Sequence, residues 1–388
     1  MKNTKVVLLV ASNSTLSSGA SWSLTGLAAQ LRKMGVDARV LLPASGDLAV
    51  QLTECRIPFY IIRYVNSVWI KRDHPDSSIL VVFSKTIIGH IVNIIANYRL
   101  NILVNRLGIE IIHINALTTD FGARVAIRNG IGLVWHAREF LSDDLDSSFS
   151  KPTEAINDIN KSNCVIAVSD SVSDRIRELG VSTDILTVYN GVEQERFLSI
   201  PLLCQLHTQI RLLMVGRLAP GKRQDLLIQA LCKLPDSYKN RLECSLVGSQ
   251  NHPRYLSEVK NLISSASLNN VHLHGPDNNI EKWYSWCDIV IVCSTMEAFG
   301  RTTVGGMLSG RLVIGSDSGG TSELINNGVT GLLFNAGESG SLSQLLCDVI
   351  DLKYDIRTIA LNAREYASKI FTAKNNASAI FSIYNSYI

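Results

Sequence analysis

Two successive sets of short apolar runs, most of them separated by a stretch long enough for a crossover helix, constrain this chain more than any other feature. In the first half they are Val6 to Ala11, Ala38 to Leu42, Ile111 to Ile114, Leu133 to His136, Val165 to Ser169 and Ile185 to Tyr189. In the second half they are Arg211 to Gly216, Cys244 to Gly248, Val271 to Gly275, Ile289 to Cys293, Leu312 to Ser316 and Gly331 to Phe334. Strands of a parallel sheet read this way because helices cover both faces. After the first run, Leu24, Leu27, Ala28 and Leu31 follow the i, i+3, i+4, i+7 pattern of a helix that Gly35 closes. A chain of 388 residues exceeds what one core holds, so the pattern predicts two doubly wound α/β domains, 1–200 and 205–371. The linker is expected between Phe197 and Gln209, a stretch with Pro201 and little periodicity.

Composition excludes several classes. Charge is near balance, 37 basic against 34 acidic residues, and implies no nucleic-acid partner. Its distribution is uneven. Between Cys55 and Arg106 the cations Arg56, Arg63, Lys71, Arg72, Lys85, Arg99 and Arg106 face only Asp73 and Asp76, which suits either an anionic lipid or acceptor, or solvated loops. The eight cysteines are widely spaced without a Cys-x-x-Cys pair, and read as buried thiols in a reducing compartment. Met1 to Lys5 runs straight into a short strand without a signal-peptide core, so the expected location is cytoplasmic, or peripheral at the inner face of the membrane. The most apolar window, Ile79 to Val104, is too polar for a membrane span and predicts an amphipathic helix, packed in the core or resting on a bilayer.

Ligands of doubly wound sheets gather at the carboxyl ends of the strands, which places the Ser12 to Ser21 loop, Asn115, His136 and Asn190 on one rim. The first of these loops has one glycine, Gly19, and no Gly-x-Gly-x-x-Gly for a dinucleotide. Gly216 and Gly221-Lys222 approach a P-loop, but Arg223 stands where a magnesium-binding hydroxyl belongs, so kinase and ATPase readings fail. No metal-ligand spacing occurs, and no catalytic metal is assigned. What remains suits an anionic, hydroxyl-rich ligand. Arg217 and Lys222 sit at a strand-to-helix turn, where fixed cations neutralise a departing diphosphate without a metal. Ser294 to Gly305 follows the strand Ile289 to Val292 and carries Glu297, a hydroxyl acceptor, just before a helix whose amides attract phosphate or sugar oxygens.

Gly216-Arg217…Lys222, Glu297-Ala298-Phe299-Gly300, Gly319-Gly320-Thr321-Ser322-Glu323 and Tyr189-Asn190-Gly191-Val192 resemble the signatures of the retaining family-4 glycosyltransferases with the GT-B fold, in the family's order over nearly the whole chain. The resemblance implies two facing Rossmann-like domains with a cleft between them, a nucleotide-sugar donor held mainly by the second and an acceptor mainly by the first. It also implies a last helix, about Thr372 to Tyr387, that crosses back to the first domain. By similarity, Arg217 and Lys222 grip the diphosphate, while Glu297 and the amides around Phe299 and Gly300 hold the sugar. Arg301, Thr302, Thr303, Gly216 and Asn190 join the donor site, and Gly19 approaches the donor phosphates or the acceptor. His136 corresponds to a histidine beside the sugar, although a strand-end histidine alone reads as a hydrogen-bonded structural residue. Glu323 either caps a helix or touches ligand.

One position departs from the family. The second glutamate of Glu-x7-Glu, which usually holds the ribose, is Gly305 here, and Gly305-Gly306 weakens a helix start. The chain is then a variant that binds ribose differently, a crippled form, or a binding-only relative. The implied activity is metal-independent retaining transfer of a hexosyl unit from a UDP- or GDP-sugar, the donor being a substrate and no cofactor being required, in cell-surface glycan or polysaccharide synthesis. The acceptor is a glycan or lipid-linked hydroxyl. Alternatives are a silent nucleotide-sugar or glycan-binding relative and a nucleotide-sugar epimerase. Acceptor choice falls to the loops Ser12 to Ser21, Tyr64 to Ser78 and Arg138 to Ser150.

Overall fold

The computed structural model of the protein describes residues 5–16, 19–66, 68–70, 79–142 and 147–388, with 69, 70 and 79–88 by backbone alone. Parts of all three expected acceptor loops, 17–18, 71–78 and 143–146, lie outside the described residues. The chain divides into two compact units, Met1–Gly191 with Ala373–Ile388, and Val192–Thr372. The division therefore falls upstream of the expected linker. The stretch from Val192 belongs to the second unit because its backbone is bound there: Val192 donates to the Phe371 carbonyl at 2.9 Å, Leu203 to Gly310 at 3.1 Å, and Arg364 reaches the Ile200 carbonyl at 2.7 Å.

In the first unit the strands are β1 (Val6–Val10), β2 (Asp37–Leu42), β3 (Phe59–Ile61), β4 (Val68–Ile70), β5 (Ile111–Ile114), β6 (Gly132–Ala137), β7 (Ser147–Phe149), β8 (Cys164–Ala167) and β9 (Ile185–Thr187). Seven form a parallel sheet in the order β3-β2-β1-β5-β6-β8-β9, and β4 pairs antiparallel with β7. The second unit holds β10 (Ile210–Val215), β11 (Leu242–Val247), β12 (Val271–His274), β13 (Ile289–Val292), β14 (Leu312–Ser316) and β15 (Leu332–Phe334), parallel in the order β12-β11-β10-β13-β14-β15. Strand order reverses between β1 and β5 in one sheet and between β10 and β13 in the other, the positions where doubly wound sheets bind ligands.

The helix Gly19–Lys33 shows why these elements form. Leu24, Leu27, Ala28 and Leu31 are buried, each leucine contributing roughly 2 kcal/mol. Gly35, at φ 88°, ends the helix, and Val36 donates to the Leu31 carbonyl at 3.0 Å. The terminal helix Ala373–Tyr387 buries Ala377, Ile380 and Tyr384 in the same core.

Three expectations change. Ser169 does not continue β8; its hydroxyl accepts from the Val172 amide at 3.2 Å and caps the helix Asp170–Glu178. Cys55, Cys204 and Cys232 are exposed, whereas Cys164 and Cys244 are buried with thiols pushed up to about 12 by burial. The apolar window forms the helix Ile79–Leu107, but its described half is not amphipathic: Ala96, Leu100 and Val104 are buried while Ile91, Ile94, Ile95, Tyr98 and Ile102 are exposed. No helix among the described residues is long and apolar enough to cross a membrane.

Candidate functional site

Three turns of the second unit meet at its switch point. After β10 the chain turns at Gly216 (φ 155°), packed so closely on Gly248 that a Cβ there would lie 1.9 Å from the Gly216 carbonyl oxygen. It then passes through the short 3-10 helix Pro220–Lys222 into the helix Gln224–Lys233, and the Gln224 amide group donates to the Arg217 carbonyl at 3.0 Å. The loop after β13 is tied to this turn by the Thr295 amide, which donates to Gly221 at 3.2 Å. Beneath it lies the Gly-Gly turn: Gly320 donates to the Glu297 carbonyl at 2.7 Å, and a Cβ at Gly320 would stand 2.8 Å from the Phe299 oxygen. Motifs far apart in sequence thus form one backbone platform.

Lys222 Nζ lies 2.5 Å from Glu297 Oε2, with side chains 24% and 19% exposed. Burial opposes ionisation of Glu297, but Lys222, the Ser294 hydroxyl and Arg217 outweigh it and hold the carboxyl below its ordinary range. The carboxylate is therefore charged at neutral pH. Lys222 and Arg217 thus both act on one carboxylate, which brings cationic groups beside a hydroxyl acceptor.

Not every expected donor residue joins this cluster. Burial holds the Arg301 guanidinium below its ordinary range, and its charged neighbours are Glu193 and Arg196 rather than the Lys222–Glu297 pair. Phe299 is buried, edge-on to Phe371 at 5.9 Å. The Thr302 hydroxyl donates to the Val215 carbonyl at 3.3 Å, tying the helix Arg301–Leu308 to β10, and Thr303 is fully buried. Thr302 thus ties the platform together, whereas the Thr303 hydroxyl is buried with no hydrogen-bond partner among the described residues. Gly300 opens that helix at φ 106°. Glu323 sits in the last turn of the helix Gly319–Leu324, so it caps no N-terminus; Ser318 occupies the N-cap.

Gly305 and Gly306 lie in the body of the helix Arg301–Leu308 and not at its start, and they let the helix approach its neighbours. A Cβ at Gly306 would lie 2.8 Å from Val313 Cγ2, and one at Gly305 would lie 2.8 Å from Tyr284 Oη. Tyr284 is buried and its hydroxyl donates to the Thr302 carbonyl at 3.3 Å, so an aromatic ring crowds the point from which a carboxylate side chain would extend.

The rim of the first unit carries a second polar cluster. Arg138 Nε donates to Asn115 Oδ1 at 2.9 Å, its Nη1 to Asn190 Oδ1, and its Nη2 faces His136 Nδ1 at 3.2 Å. Asn190 thus holds a guanidinium. Gly19 is exposed as the first residue of its helix, with Asn115 Nδ2 donating to the adjacent Ala20 carbonyl at 3.2 Å. His113 Nε2 lies 3.1 Å from His136 Nδ1, and His113 Nδ1 lies 2.7 Å from the Tyr384 hydroxyl. Since arginine only donates, His136 Nδ1 must accept, its Nε2 carries the proton, His113 donates from Nε2, and Tyr384 donates to His113. His136 Nε2–H is buried with no hydrogen-bond acceptor among the described residues. Sequence reading named Arg138 only as the start of an acceptor loop, and it missed His113 and Tyr384.

Burial, reinforced by Arg138, holds His113 down at about 3 and His136 well below its usual value. Unfolding returns both to about 6.5, so the unfolded chain binds the extra protons and acid favours it. Stability is expected to fall as pH drops below 6.5, with both histidines contributing in the same direction. Urea midpoints between pH 7 and 5 check this. His113→Gln should flatten the dependence, and an unchanged slope would refute the assignment.

Residues 205–369 match the family described as Glycosyl transferases group 1, and residues 17–196 match Glycosyltransferase Family 4. An uncharacterized glycosyltransferase of Methanocaldococcus jannaschii is 24% identical over 53% of this chain and 54% of its own length. The lipopolysaccharide core biosynthesis mannosyltransferase LpsB of Rhizobium meliloti is 28% identical over 35% of this chain and 39% of its own. The chain thus spans about half or less of the length of these curated relatives. The Anabaena protein HepE, solved in complex with UDP and glucose, superposes with a TM-score of 0.79 at 24% identity, over 98% of this chain and 100% of that one. Matched in order along both halves and in fold along nearly its whole length, the chain belongs to the family-4, group 1 glycosyltransferases of the GT-B fold.

Proposed function

We propose that this chain moves a hexosyl unit from a nucleoside-diphosphate sugar, UDP- or GDP-linked, to a hydroxyl of a glycan or lipid-linked acceptor, with retention of configuration and without a metal. The observation that carries this is the Lys222–Glu297 pair with Arg217 beside it. Arg217 and Lys222 neutralise the departing diphosphate, and Glu297 accepts from sugar hydroxyls. With no nucleophile assigned, the acceptor oxygen bonds to the anomeric carbon on the face the diphosphate leaves, and a diphosphate oxygen takes the acceptor's proton. Stabilisation of that leaving charge carries most of the rate. His136 Nε2–H donates to a sugar oxygen. The similarity to a lipopolysaccharide mannosyltransferase favours cell-surface polysaccharide synthesis, and eight free cysteines favour a reducing compartment.

A second reading, a binding-only relative, draws on Gly305. It predicts nucleotide binding without turnover. Calorimetry against a panel of UDP- and GDP-sugars, followed by transfer assays with the anomeric proton read by NMR, separates the two. We expect heat on binding, a transferred sugar and an unchanged anomer; binding without transfer over a broad acceptor panel would leave the second reading standing.

A further inference from the structure

The helix Ile79–Leu107 has a face that lies exposed among the described residues of the first unit. Its buried side is Ala96, Leu100 and Val104, spaced four apart. Ile91, Ile94, Ile95, Tyr98 and Ile102 recur at i, i+3, i+4, i+7 and i+11, two residues and thus roughly 200° from that side. They are 53%, 58%, 53%, 69% and 50% exposed. A helix packed on a core with its other side in water normally carries polar residues there. Here the outward side is as apolar as the inward one, and a contiguous exposed patch of this kind marks an interaction surface.

Charge identifies the partner. The helix contains no acidic residue along its whole length, and Arg99 and Arg106, both exposed, fall on one flank of the stripe. A tyrosine within the stripe adds a ring with an apolar body and a polar tip, suited to the boundary between headgroups and acyl chains. We propose that this face rests on an anionic lipid surface: the isoleucines enter the acyl boundary, Tyr98 sits among the headgroups, and Arg99 and Arg106 pair with lipid phosphates. The helix lies on the bilayer rather than through it, since its opposite side is already buried in protein. This surface does not depend on the donor-site reading.

Flotation of the full chain with vesicles tests it, using phosphatidylcholine alone and phosphatidylcholine mixed with phosphatidylglycerol. Wild type is expected to float with the anionic vesicles, less with the neutral ones, and less as salt rises. The Ile94→Gln/Ile95→Gln/Ile102→Gln variant should lose on the order of tenfold in partitioning per isoleucine. Arg99→Gln/Arg106→Gln should lose roughly fivefold per arginine, from anionic vesicles only. These side chains are exposed, so circular dichroism should show both variants folded, and nucleotide-sugar binding by the second unit should be unchanged. A wild type that stays unfloated at low salt overturns the proposal, as does an isoleucine variant that floats equally well. A wild-type dimer that the same substitutions dissociate, with no flotation, assigns the face to a second copy and also overturns it. Loss of donor binding with flotation intact strikes only the transferase reading.

Discussion

Lys222→Ala is expected to lower the transfer rate by about a hundred- to a thousandfold, the scale of one preorganised group aimed at developing charge. On the proposed mechanism the loss should fall on kcat more than on donor affinity, because negative charge would build on the diphosphate as the sugar leaves while Arg217 would still grip the ground state. A second readout follows from the ion pair. Burial pushes the Glu297 carboxyl up, and Lys222 is the strongest of the groups that pull it down. Without the lysine the carboxyl titrates higher, so the acidic limb of the pH–rate profile should move to higher pH. Lys222→Arg keeps the charge and should restore part of both effects. Steady-state kinetics with calorimetric donor affinities measure them, and a Lys222→Ala variant with full kcat and an unmoved acid limb would remove Lys222 from the chemistry.

Gly305→Glu is expected to destabilise the second unit by about 2 to 4 kcal/mol instead of repairing a donor site. The Cβ alone would meet Tyr284 at 2.8 Å from Oη, closer than real Cβ atoms come, and at a tight 3.0 Å from Cζ. Tyr284 has little freedom to yield, being packed edge-on to Phe197 at 5.5 Å with its hydroxyl bonded to Thr302. Replacing helical glycine gains roughly 1 kcal/mol of propensity, less than overpacking and a crowded carboxylate cost together. Gly305→Ala isolates the Cβ contact, and adding Tyr284→Leu to Gly305→Glu should recover much of the loss through the coupling of touching residues. Thermal denaturation reads this at about 2 to 4 °C per kcal/mol. A Gly305→Glu protein as stable as wild type and tighter for donor would mark Gly305 as a lapsed carboxylate site. Crowding by Tyr284 favours the variant reading among the three left open by the sequence.

Most of the architecture was legible before any coordinates. Strands such as β5 and β14 coincide with their apolar runs because buried parallel strands leave no choice of polarity on either face. Of the five three-residue strands among the described residues, β9 and β15 were read because they sit in longer apolar runs, whereas β3, β4 and β7 escaped, too short to show a period. In the site, Arg217, Lys222 and Glu297 were legible as two cations and a carboxylate on strand-end loops, and a family resemblance then gave them roles. That Thr302 bonds to β10 and Thr303 is buried could not be read in advance, because a motif gives position along the chain but not the direction of a hydroxyl. The link from Tyr384 to His113 spans 271 positions, beyond any local pattern.

By itself the sequence determined the elements, their division between two sheets and the chemistry of three strand-end loops, since periodicity and residue type are local properties that folding preserves. Tertiary structure alone decided that the Gly-Gly turn underlies Glu297, that Tyr284 crowds Gly305 and that Arg138 sets the tautomer of His136. Those outcomes depend on distances of a few ångströms between segments that meet only when the sheets close, and packing at that scale is set by all the neighbours at once.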